Sequence, residues 1–576
     1  MPKIGYYLFN GGINYRDSDL AVNELADGNN LYWKGNLKRR KGYQIRHSAL
    51  ATAGNYQPKA IYEHIRLYES SLDFHFLIVG MATGATASVS KLTAYYRSGL
   101  PTATSASYTM IGTGDWVDWT TNDPLSVDVI GKKVYLALGD MNPYVVYSTN
   151  ESTWNIKELP LCYYLNGSTS TGAGVIDNSS GSTGNWKGSK IVVAGQGLLF
   201  VSDAETAFYG VYGWGLDPSK YIESTSIADQ ASGITQSWAG SALGGYIGLN
   251  PNLSIYKAIA YKKYIYWCGY KGFHVLYPRF IQGKDDYDLI TENYRGVYSG
   301  IDINKNGVFF VGKDGIYGYD GIACYNLSKK IWPHIESEHS NIPDDFKNTA
   351  VASHDNYVWV SFPDGTNKEV FIFEPDHIYT DERDESHAPF YRFTYVNGTG
   401  RNPIGFKLLK EYDNHLYGVD GANLYELDTE GLDGKTTAGG EGISFKAKTA
   451  YLDQENPGIE KIYRQVVLET NEGISDGTTN GITDLRMGFS INHSTASDYH
   501  AVTSTGAIDM EYITGEGRAF KTIDIPMTTS DYALDGNSMS FEIIGESSRA
   551  KATGEVDIYG FSLDYGLRTK PAEEAT

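Results

Sequence analysis

The sequence predicts an all-β protein: an irregular β-propeller of six to eight blades, with an N-terminal arm and a C-terminal β-sandwich or platform domain. Apolar and polar residues alternate along most of the chain after about residue 60, which is the period of half-buried strands. Tyr and Gly occur 46 and 64 times among 576 residues, a composition that favours twisted strands joined by tight turns. A chain of this length exceeds one hydrophobic core, so several domains are expected.

Residues 1–55 are predicted to form the N-terminal arm or platform segment. A Gly-Gly pair, a charged pair, an apolar stretch with acidic residues and a basic cluster follow one another, and no single secondary structure accommodates them all. Ser18 or Asp19 is placed to cap a helix from Leu20 to Ala26, which Asp27 and Gly28 would end. We expect this segment to join domains or contact a neighbouring subunit; the alternative is a domain edge packed on its own core.

Residues 56–434 are predicted to form the propeller-like domain, because seven segments resemble one another. Each has turn residues followed by alternating aromatic or β-branched residues, and their starts lie 44–66 residues apart. A four-stranded blade takes roughly 40–50 residues, and we assign loop insertions to 166–185 and 223–252. Hairpins of stacked sandwiches are the alternative. The segments are FHFLIVG (74–80), GKKVYLALGD (131–140), GQGLLFVSD (195–203), YKKYIYWCGYKGFHVLYP (261–278), KNGVFFVGKDGIYGYDG (305–321), HDNYVWVSFPDG (354–365) and YDNHLYGVDGANLYELD (412–428).

Residues 435–568 are predicted to form the C-terminal β-sandwich domain, and residues 569–576 a flexible tail. The strand-like segments here are longer than those before them and are spaced as in a sandwich. They are RQVVLET, LRMGFSIN, AFKTIDIP, SMSFEIIGE and EVDIYGFSLDYG.

No catalytic, cofactor-binding or metal site is predicted, and we do not expect an enzyme. GLDGKTT (431–437) lacks the first glycine of a phosphate-binding loop. STNESTW (148–154) resembles a degraded Asp-box, which is a turn motif of sialidase-type propellers and carries no catalysis itself. DHIYTDERDESH (376–387) contains metal-ligand residue types, but its mixed charges are typical of a solvated loop. These residues are His377, Asp381, Asp384, Glu385 and His387.

Charge and composition limit the partners. The formal net charge of −21 argues against a nucleic-acid-binding protein, whose contact surface is basic. Three scattered cysteines form neither a disulfide framework nor a zinc motif. The chain shows no apolar leader and no run of 18 apolar residues, so we expect no membrane insertion and a reducing, cytoplasm-like environment.

One ordered pattern lies within the first 43 residues: a Gly-Gly pair, an Asn-x-Arg-Asp step, and then Asn, Gly, Leu and an Arg-Arg pair before Gly-Tyr. We call these residues the assembly motif. They are Gly11, Gly12, Asn14, Arg16, Asp17, Asn30, Gly35, Leu37, Arg39, Arg40, Gly42 and Tyr43. The pattern resembles the start of many bacteriophage tail structural proteins, in particular the tail nozzle family of short-tailed phages, also called tail tubular protein B.

The resemblance implies a propeller joined to a β-rich platform, and a homohexameric ring below the tail adaptor ring. It implies a structural protein of the virion tail, assembled in the host cytoplasm, through which the genome is ejected. The expected partners are further copies of the chain, the adaptor ring, and tail fibres or spikes, and DNA would pass without specific binding. The family supplies no catalytic or cofactor residue to transfer to this chain.

Two other functions stay open at this point. A receptor-binding propeller would use some of the many Tyr and Trp residues to recognise glycans, although Tyr in strands more often serves packing. A polysaccharide-cleaving propeller would need paired carboxylates from different strands, and spacing along the chain does not locate such a pair.

Overall fold

The computed structural model describes residues 3–6, 9–16 and 20–47, strand segments between 55 and 300, residues 301–339, residues 348–453 with short gaps, and strand segments between 459 and 567. This part of the chain contains 48 strands, one α-helix, α1 (Trp332–Glu338), and one short 3-10 helix (Pro375–His377). The prediction of an all-β protein is therefore confirmed.

The N-terminal segment contributes five strands, each of which pairs with another part of the chain or with its neighbour. They are β1 (Lys3–Tyr6), β2 (Leu25–Asn29), β3 (Leu31–Trp33), β4 (Leu37–Arg39) and β5 (Gly42–His47).

The predicted helix from Leu20 to Ala26 is wrong, because residues 20–24 form no helix and β2 begins at Leu25. β2 pairs antiparallel with β40 (Phe445–Thr449), with a register shift between Leu25 and Asp27. Leu25 is 1% exposed, so this long-range pairing and the burial of its side chain override the local helix signal. The proposed caps Ser18 and Asp19 lie outside the described residues.

Seven antiparallel sheets follow one another between residues 55 and 429, and we number them 1 to 7. Sheet 1 contains β6 (Asn55–Leu67), β7 (Leu72–Thr83), β8 (Ser90–Ser98), β9 (Thr109–Met110) and β10 (Asp118–Trp119), and sheet 2 contains β11 (Ser126–Ile130), β12 (Lys133–Ala137), β13 (Tyr144–Asn150) and β14 (Thr153–Glu158). Sheet 3 contains β15 (Ile191–Gly195), β16 (Leu198–Ser202), β17 (Thr206–Val211) and β18 (Gly244–Gly248). Sheet 4 contains β19 (Ile255–Tyr261), β20 (Tyr264–Gly269), β21 (Gly272–Ile281) and β22 (Lys284–Glu292).

Sheet 5 contains β23 (Val297–Asn304), β24 (Gly307–Gly312), β25 (Gly315–Tyr319) and β26 (Cys324–Asn326), and sheet 6 contains β27 (Ala350–His354), β28 (Tyr357–Phe362), β29 (Glu369–Phe373) and β32 (Tyr391–Phe393). Sheet 7 contains β35 (Leu408–Tyr412), β36 (His415–Asp420), β37 (Asn423–Thr429) and the N-terminal β5. Two short hairpins lie beside them, β30 (Tyr379–Thr380) with β31 (Ser386–His387) and β33 (Val396–Asn397) with β34 (Asn402–Pro403). β38 (Asp433–Thr436) and β39 (Gly439–Glu441) extend sheet 7 beyond β5.

Each of the seven segments selected from the sequence contains or lies within the second strand of a different sheet: β7, β12, β16, β20, β24, β28 and β36. The turns before two of these strands explain the Asp-Asn pairs in the sequence. Asp355, Asn356, Asp413 and Asn414 all have positive φ angles, as the central residues of a tight hairpin turn require. STNESTW spans the end of β13 and the start of β14.

Neighbouring sheets contact one another through their first strands. β6, β11, β15, β19, β23, β27 and β35 make this contact in sequence, and β35 in turn contacts β6. Of the predicted insertion 223–252, residues 244–248 form β18; the remainder of it, the insertion 166–185 and the tail 569–576 lie outside the described residues.

The C-terminal region forms two further sheets, and all five strands predicted there are confirmed, as β41, β42, β45, β47 and β48. β1, β3 and β4 join an eight-stranded sheet, and β2 joins a five-stranded sheet. The two sheets contact each other, with the rings of Phe541 and Phe561 4.8 Å apart. Besides β40 the strands are β41 (Lys461–Asn471), β42 (Asp484–Ile491), β43 (Asp498–His500), β44 (Glu511–Ile513), β45 (Arg518–Asp524), β46 (Asp535–Gly536), β47 (Met539–Glu546) and β48 (Asp557–Leu567).

Candidate assembly site

The Gly-Gly pair of the assembly motif lies where the N-terminal segment passes the start of β32. Gly12 has a φ of +75°, and a Cβ at this position would lie 2.6 Å from the backbone N of Phe390. A Cβ on Gly11 would lie 2.6 Å from the Cγ of Glu24. The backbone N–H of Ile13 donates a hydrogen bond to the carbonyl of Phe390 (2.8 Å), which fixes this close approach. Both positions therefore favour glycine.

Asn14 and Glu24 form a buried polar contact behind the glycines. Both side chains are at most 1% exposed, and Asn14 Nδ2 donates to Glu24 Oε2 (2.8 Å). Glu24 also forms an ion pair with Lys330, which follows sheet 5. The N-terminal segment is thus held to the region between sheets 5 and 6 by a buried carboxylate.

Arg40 lies at the centre of the motif in a second joint. It forms a bidentate ion pair with Asp433, with N–O distances of 2.7 and 2.6 Å between side chains that are 1% and 0% exposed. Arg40 Nε donates to Asn30 Oδ1 (2.8 Å), Nη2 donates to the carbonyl of Thr394, and the guanidinium lies 3.9 Å from the ring centroid of Tyr395. Burial alone lowers the pKa of Arg40, but the charge of Asp433 outweighs burial and raises the pKa above its ordinary value.

Asn30 and Tyr43 complete this joint. Asn30 has a φ of +59°, and its Nδ2 donates to the carbonyl of Ser444 (2.7 Å) while its Oδ1 accepts from the backbone N–H of Thr394 (2.8 Å). The Tyr43 ring is fully buried, and its hydroxyl donates to the carbonyl of Val396 (2.8 Å). These contacts connect the N-terminal segment to the end of sheet 6 and to the chain that leads into the C-terminal sheets.

Three other motif residues serve the backbone and the core. Gly35 has a φ of +82° in the turn between β3 and β4, and Leu37 is 2% exposed within the core. Gly42 begins β5, where it pairs with Thr429 of sheet 7.

The remaining motif residues are charged. Arg16 is partly exposed, and its Nη1 lies 4.0 Å from the Oε2 of Glu385, which lies between β30 and β31. Asp17 lies outside the described residues. Arg39 is 8% exposed, and burial, together with the neighbouring charge of Arg40, lowers its pKa to about 10.

A further joint is formed by residues outside the assembly motif, among them Asp27, which the sequence analysis assigned to the end of a helix. Asp27 pairs with Arg392 (3.0 Å) and with Lys446 (3.0 Å), so it connects β2 to β32 and β40. Arg392 also contacts Glu369 (3.3 Å), whose carboxylate lies 3.0 Å from His334 Nε2. Burial alone raises the pKa of Asp27, but the charges of Arg392 and Lys446 lower it below its ordinary value. The partners are hundreds of residues apart, so no local pattern marks them.

β5 lies between β37 and β38 in sheet 7, although it precedes β35, β36 and β37 by more than 360 residues. Arg46 of β5 forms an ion pair with Glu426 of β37, and these side chains are 7% and 6% exposed. His415 Nδ1 lies 2.6 Å from the same carboxylate. The N-terminal segment therefore contacts sheets 6 and 7 and both C-terminal sheets.

Three of the metal-ligand residue types noted in 376–387 lie close together. The ligand atoms of Asp381, Glu385 and His387 are within 4.8 Å of one another. His387 Nε2 is 3.0 Å from Asp381 Oδ2, and Lys329 pairs with Glu385 (2.8 Å). Hydrogen bonds, first of all from the backbone N–H of Glu385, lower the pKa of Asp381 to about 2. These contacts account for the cluster as a charged turn.

The two other residues of that stretch lie apart from this cluster. His377 pairs with Glu374 at the short 3-10 helix, with 3.0 Å between Nδ1 and the carboxylate. Asp384 has a φ of +58° and occupies the turn between β30 and β31.

Comparison with known proteins finds no matching family model and no matching curated protein. Among the described residues, no helix has the length and apolar character needed to cross a membrane.

Proposed function

We propose that this protein is a structural component of a phage virion tail and forms a ring-shaped nozzle for genome ejection. The observation that carries the proposal is the assembly motif, on which the resemblance to the nozzle family rests. Its residues make buried, conformationally demanding contacts, such as Gly12 against Phe390 and Arg40 with Asp433. A motif with this role is expected to persist in a family that shares a fold and an assembly rather than a chemical reaction.

For the fold, we propose that sheets 1 to 7 are the blades of a closed seven-bladed propeller. The contacts between consecutive first strands and between β35 and β6 support this proposal. The pairing of β5 with β37 supports it too, because a strand from one end of the chain then completes the last blade. The two C-terminal sheets, joined by β1 to β4, would form the platform.

In the proposed hexamer the DNA passes through the central bore that the six subunits enclose. It does not pass through the centre of a single subunit. Lys410 of sheet 7 reaches Asp302 of sheet 5, with 3.6 Å between Nζ and Oδ1, so side chains occupy the space between the first strands. The formal charge of −21 per chain suits a bore that repels DNA, because a basic wall would bind phosphates and slow ejection.

The proposed nozzle has no catalytic role and needs no cofactor. Its partners are five further copies of the chain, the tail adaptor ring, and tail fibres or spikes, and its location is the virion tail. The free chain is expected to stay monomeric when subunit contacts are weak without the adaptor ring.

Electron microscopy of virions that carry an affinity tag on this chain tests the proposal. Labelling is expected at the tail, and class averages along the tail axis should show a six-fold ring of about 382 kDa from six chains of 63.6 kDa. A ring of another symmetry, or a label on the capsid or fibre tips, would contradict the nozzle. The matched comparison is a particle in which this chain is untagged and a known tail protein carries the tag.

Glycan recognition is a second candidate, and one cleft favours it. This cleft of about 340 Å³ lies at the turns that precede the second strands of sheets 5 to 7. The cleft is lined mainly by side chains that can form hydrogen bonds. Among them are Asn304, Asn306, Asn356, Asp376 and Asn414. A glycan array distinguishes the candidates, since specific binding that is lost on Asn306→Ala would support receptor recognition. Absence of binding across the array would leave the nozzle as the better account.

A further inference from the structure

The cleft at the turns of sheets 5 to 7 contains mostly anionic charge. We call this cleft of about 340 Å³ the turn cleft. The charged residues of its lining are three acids and one lysine, namely Asp355, Asp376, Glu411 and Lys305. The turn cleft therefore favours a ligand that is positively charged.

Two of the three carboxylates are already paired with lysines of the same chain. Asp355 lies 3.1 Å from Lys34 Nζ, and Asp376 lies 2.9 Å from the lysine of the cleft. In contrast, Glu411 forms no ion pair with any residue that the structure describes, and its Oε1 accepts a hydrogen bond from the backbone N–H of Asn414 (2.7 Å). Glu411 is thus the carboxylate of the cleft that is left for a cation from outside.

A buried histidine of the lining supplies an independent observation. His354 is 8% exposed, and its Nδ1 is buried without a hydrogen-bond partner among the described residues. Its Nε2 lies 3.6 Å from Asp428 Oδ2, which favours the proton on Nε2 and leaves Nδ1 as an acceptor. Because Asp428 does not line the turn cleft, Nδ1 is the ring nitrogen that remains for a ligand there. A buried polar atom in this state indicates a group that completes its hydrogen bonding.

The two acceptors lie on neighbouring first strands. His354 is the last residue of β27 and Glu411 is the last but one of β35, and these strands contact each other. Each strand leads directly into a turn of the cleft, at Asp355 and at Asn414 respectively. A ligand in the cleft therefore has both acceptors on adjacent walls.

The walls suit a hydrogen-bond donor better than a ligand that needs an apolar surface. Small-molecule pockets are lined mainly by hydrophobic and aromatic side chains. Here the ring of Tyr357 is 5% exposed, and its hydroxyl donates to the carbonyl of Trp33 (2.9 Å). An arginine side chain matches the acceptors, because its planar guanidinium has five N–H donors and no acceptor.

We propose that the turn cleft binds an arginine side chain of a partner protein. The guanidinium pairs with the carboxylate of Glu411, and Nδ1 of His354 accepts a further N–H of the bound segment. Charge-assisted hydrogen bonds of this type are stronger than neutral ones. Lys34 and Lys305 use the same chemistry within the chain, since each places a cation on one of the other two carboxylates. The proposal does not rest on the nozzle, and it gives the cleft a protein occupant instead of a glycan.

Saturation-transfer NMR of the full chain with the peptide Gly-Gly-Arg-Gly-Gly tests the proposal, at about pH 7 and low salt. The matched probe carries citrulline in place of arginine and so has the same shape without the charge. The arginine peptide is expected to bind at least about tenfold more tightly than the citrulline peptide, and added salt should reduce this difference. Glu411→Gln should weaken binding of the arginine peptide about tenfold, because glutamine keeps an oxygen for the N–H of Asn414 but loses the charge. Glu336→Gln is the matched control, since Glu336 is exposed on α1 and does not line the cleft.

Equal binding of the two peptides, no binding of the arginine peptide at millimolar concentration, or an unchanged affinity in Glu411→Gln would overturn the assignment. His354→Asn keeps an acceptor near the position of Nδ1 and should bind the arginine peptide more tightly than His354→Phe, and equal affinities would overturn the role of His354. If neither His354 variant folds, Glu411→Gln decides, because the Glu411 side chain is partly exposed. Binding of a neutral oligosaccharide in the cleft, without binding of the arginine peptide, would overturn the proposal in favour of glycan recognition. A tail without a six-fold ring would contradict the nozzle and leave this proposal intact.

Discussion

Replacing Arg40 by methionine tests the central joint of the assembly motif. The substitution keeps a long side chain but leaves the carboxylate of Asp433 buried without its partner, at 0% exposure. It also removes the donor to Asn30 Oδ1 and to the carbonyl of Thr394. The N-terminal segment, the end of sheet 6 and the connection to the C-terminal sheets would all lose a shared contact.

The expected magnitude follows from burial. Removing one partner of a buried ion pair costs about 3–5 kcal/mol of the free energy of unfolding. Replacing both partners, as Arg40→Met with Asp433→Leu, removes the unpaired charge and leaves chiefly the acceptors on Asn30 and Thr394, at about 1–3 kcal/mol. The double variant should therefore be more stable than Arg40→Met alone. In contrast, Lys34→Met breaks a pair with Asp355 whose side chains are 53% and 51% exposed, and should cost at most about 1 kcal/mol.

Urea denaturation followed by tryptophan fluorescence and circular dichroism measures these differences as shifts of the transition that reports the N-terminal segment. Trp33 of β3 lies in that segment and supplies a local probe. The reasoning is refuted if Arg40→Met shifts the transition no more than Lys34→Met does. A double variant that is less stable than either single variant would refute it as well, because the unpaired charge would then not be the main cost.

Three other predictions follow from the N-terminal contacts and the charge. Gly12→Ala should lower stability by about 1–3 kcal/mol more than Gly35→Ala, because both residues have positive φ but only Gly12 has backbone within 4 Å of the new Cβ; equal thermal shifts would contradict this. The folded pKa of Asp27 lies below its ordinary 3.8, so its stabilisation is present above about pH 4 and is lost as the pH falls through the lower folded value. Asp27→Asn should thus flatten the acid limb of the stability curve, and an unchanged limb would argue against pairing with Arg392 and Lys446. The purified chain should not bind a random-sequence duplex at micromolar or lower concentration in about 50 mM salt, and tight salt-sensitive binding would contradict the proposed role of the net charge.

Strand positions were the most predictable part of the fold. Alternation and turn chemistry are local properties, so the segments that begin at residues 305, 354 and 412 could be assigned to hairpins from their own residues. The stretch around Leu25 misled for the complementary reason. Its capping and helix-ending residues are local signals too, but the pairing of β2 with Phe445–Thr449 decides the outcome over more than 400 residues.

The candidate site was predictable only in part. The ordered pattern of glycines and arginines directed attention to Gly12 and Arg40, which do make demanding contacts. Their partners could not be named, because Asp433 and Arg392 become neighbours of the N-terminal segment only through the tertiary fold. Asp27 shows the same limit, since an acidic residue before glycine in the sequence indicates a turn and not an ion-paired strand.

The position of β5 has a consequence for how the chain is made on the ribosome. Arg46 and its partner Glu426 are separated by 380 residues, so β5 emerges long before the strand it pairs with. At synthesis rates of about 5–20 residues per second, the interval is roughly 20–75 s. During that time β5 has no partner strand in its own chain, and its exposed backbone is open to pairing with other chains. Sheet 7 is thus completed only after β37 has been translated, and slow synthesis of the intervening 380 residues should raise the fraction of chains that aggregate.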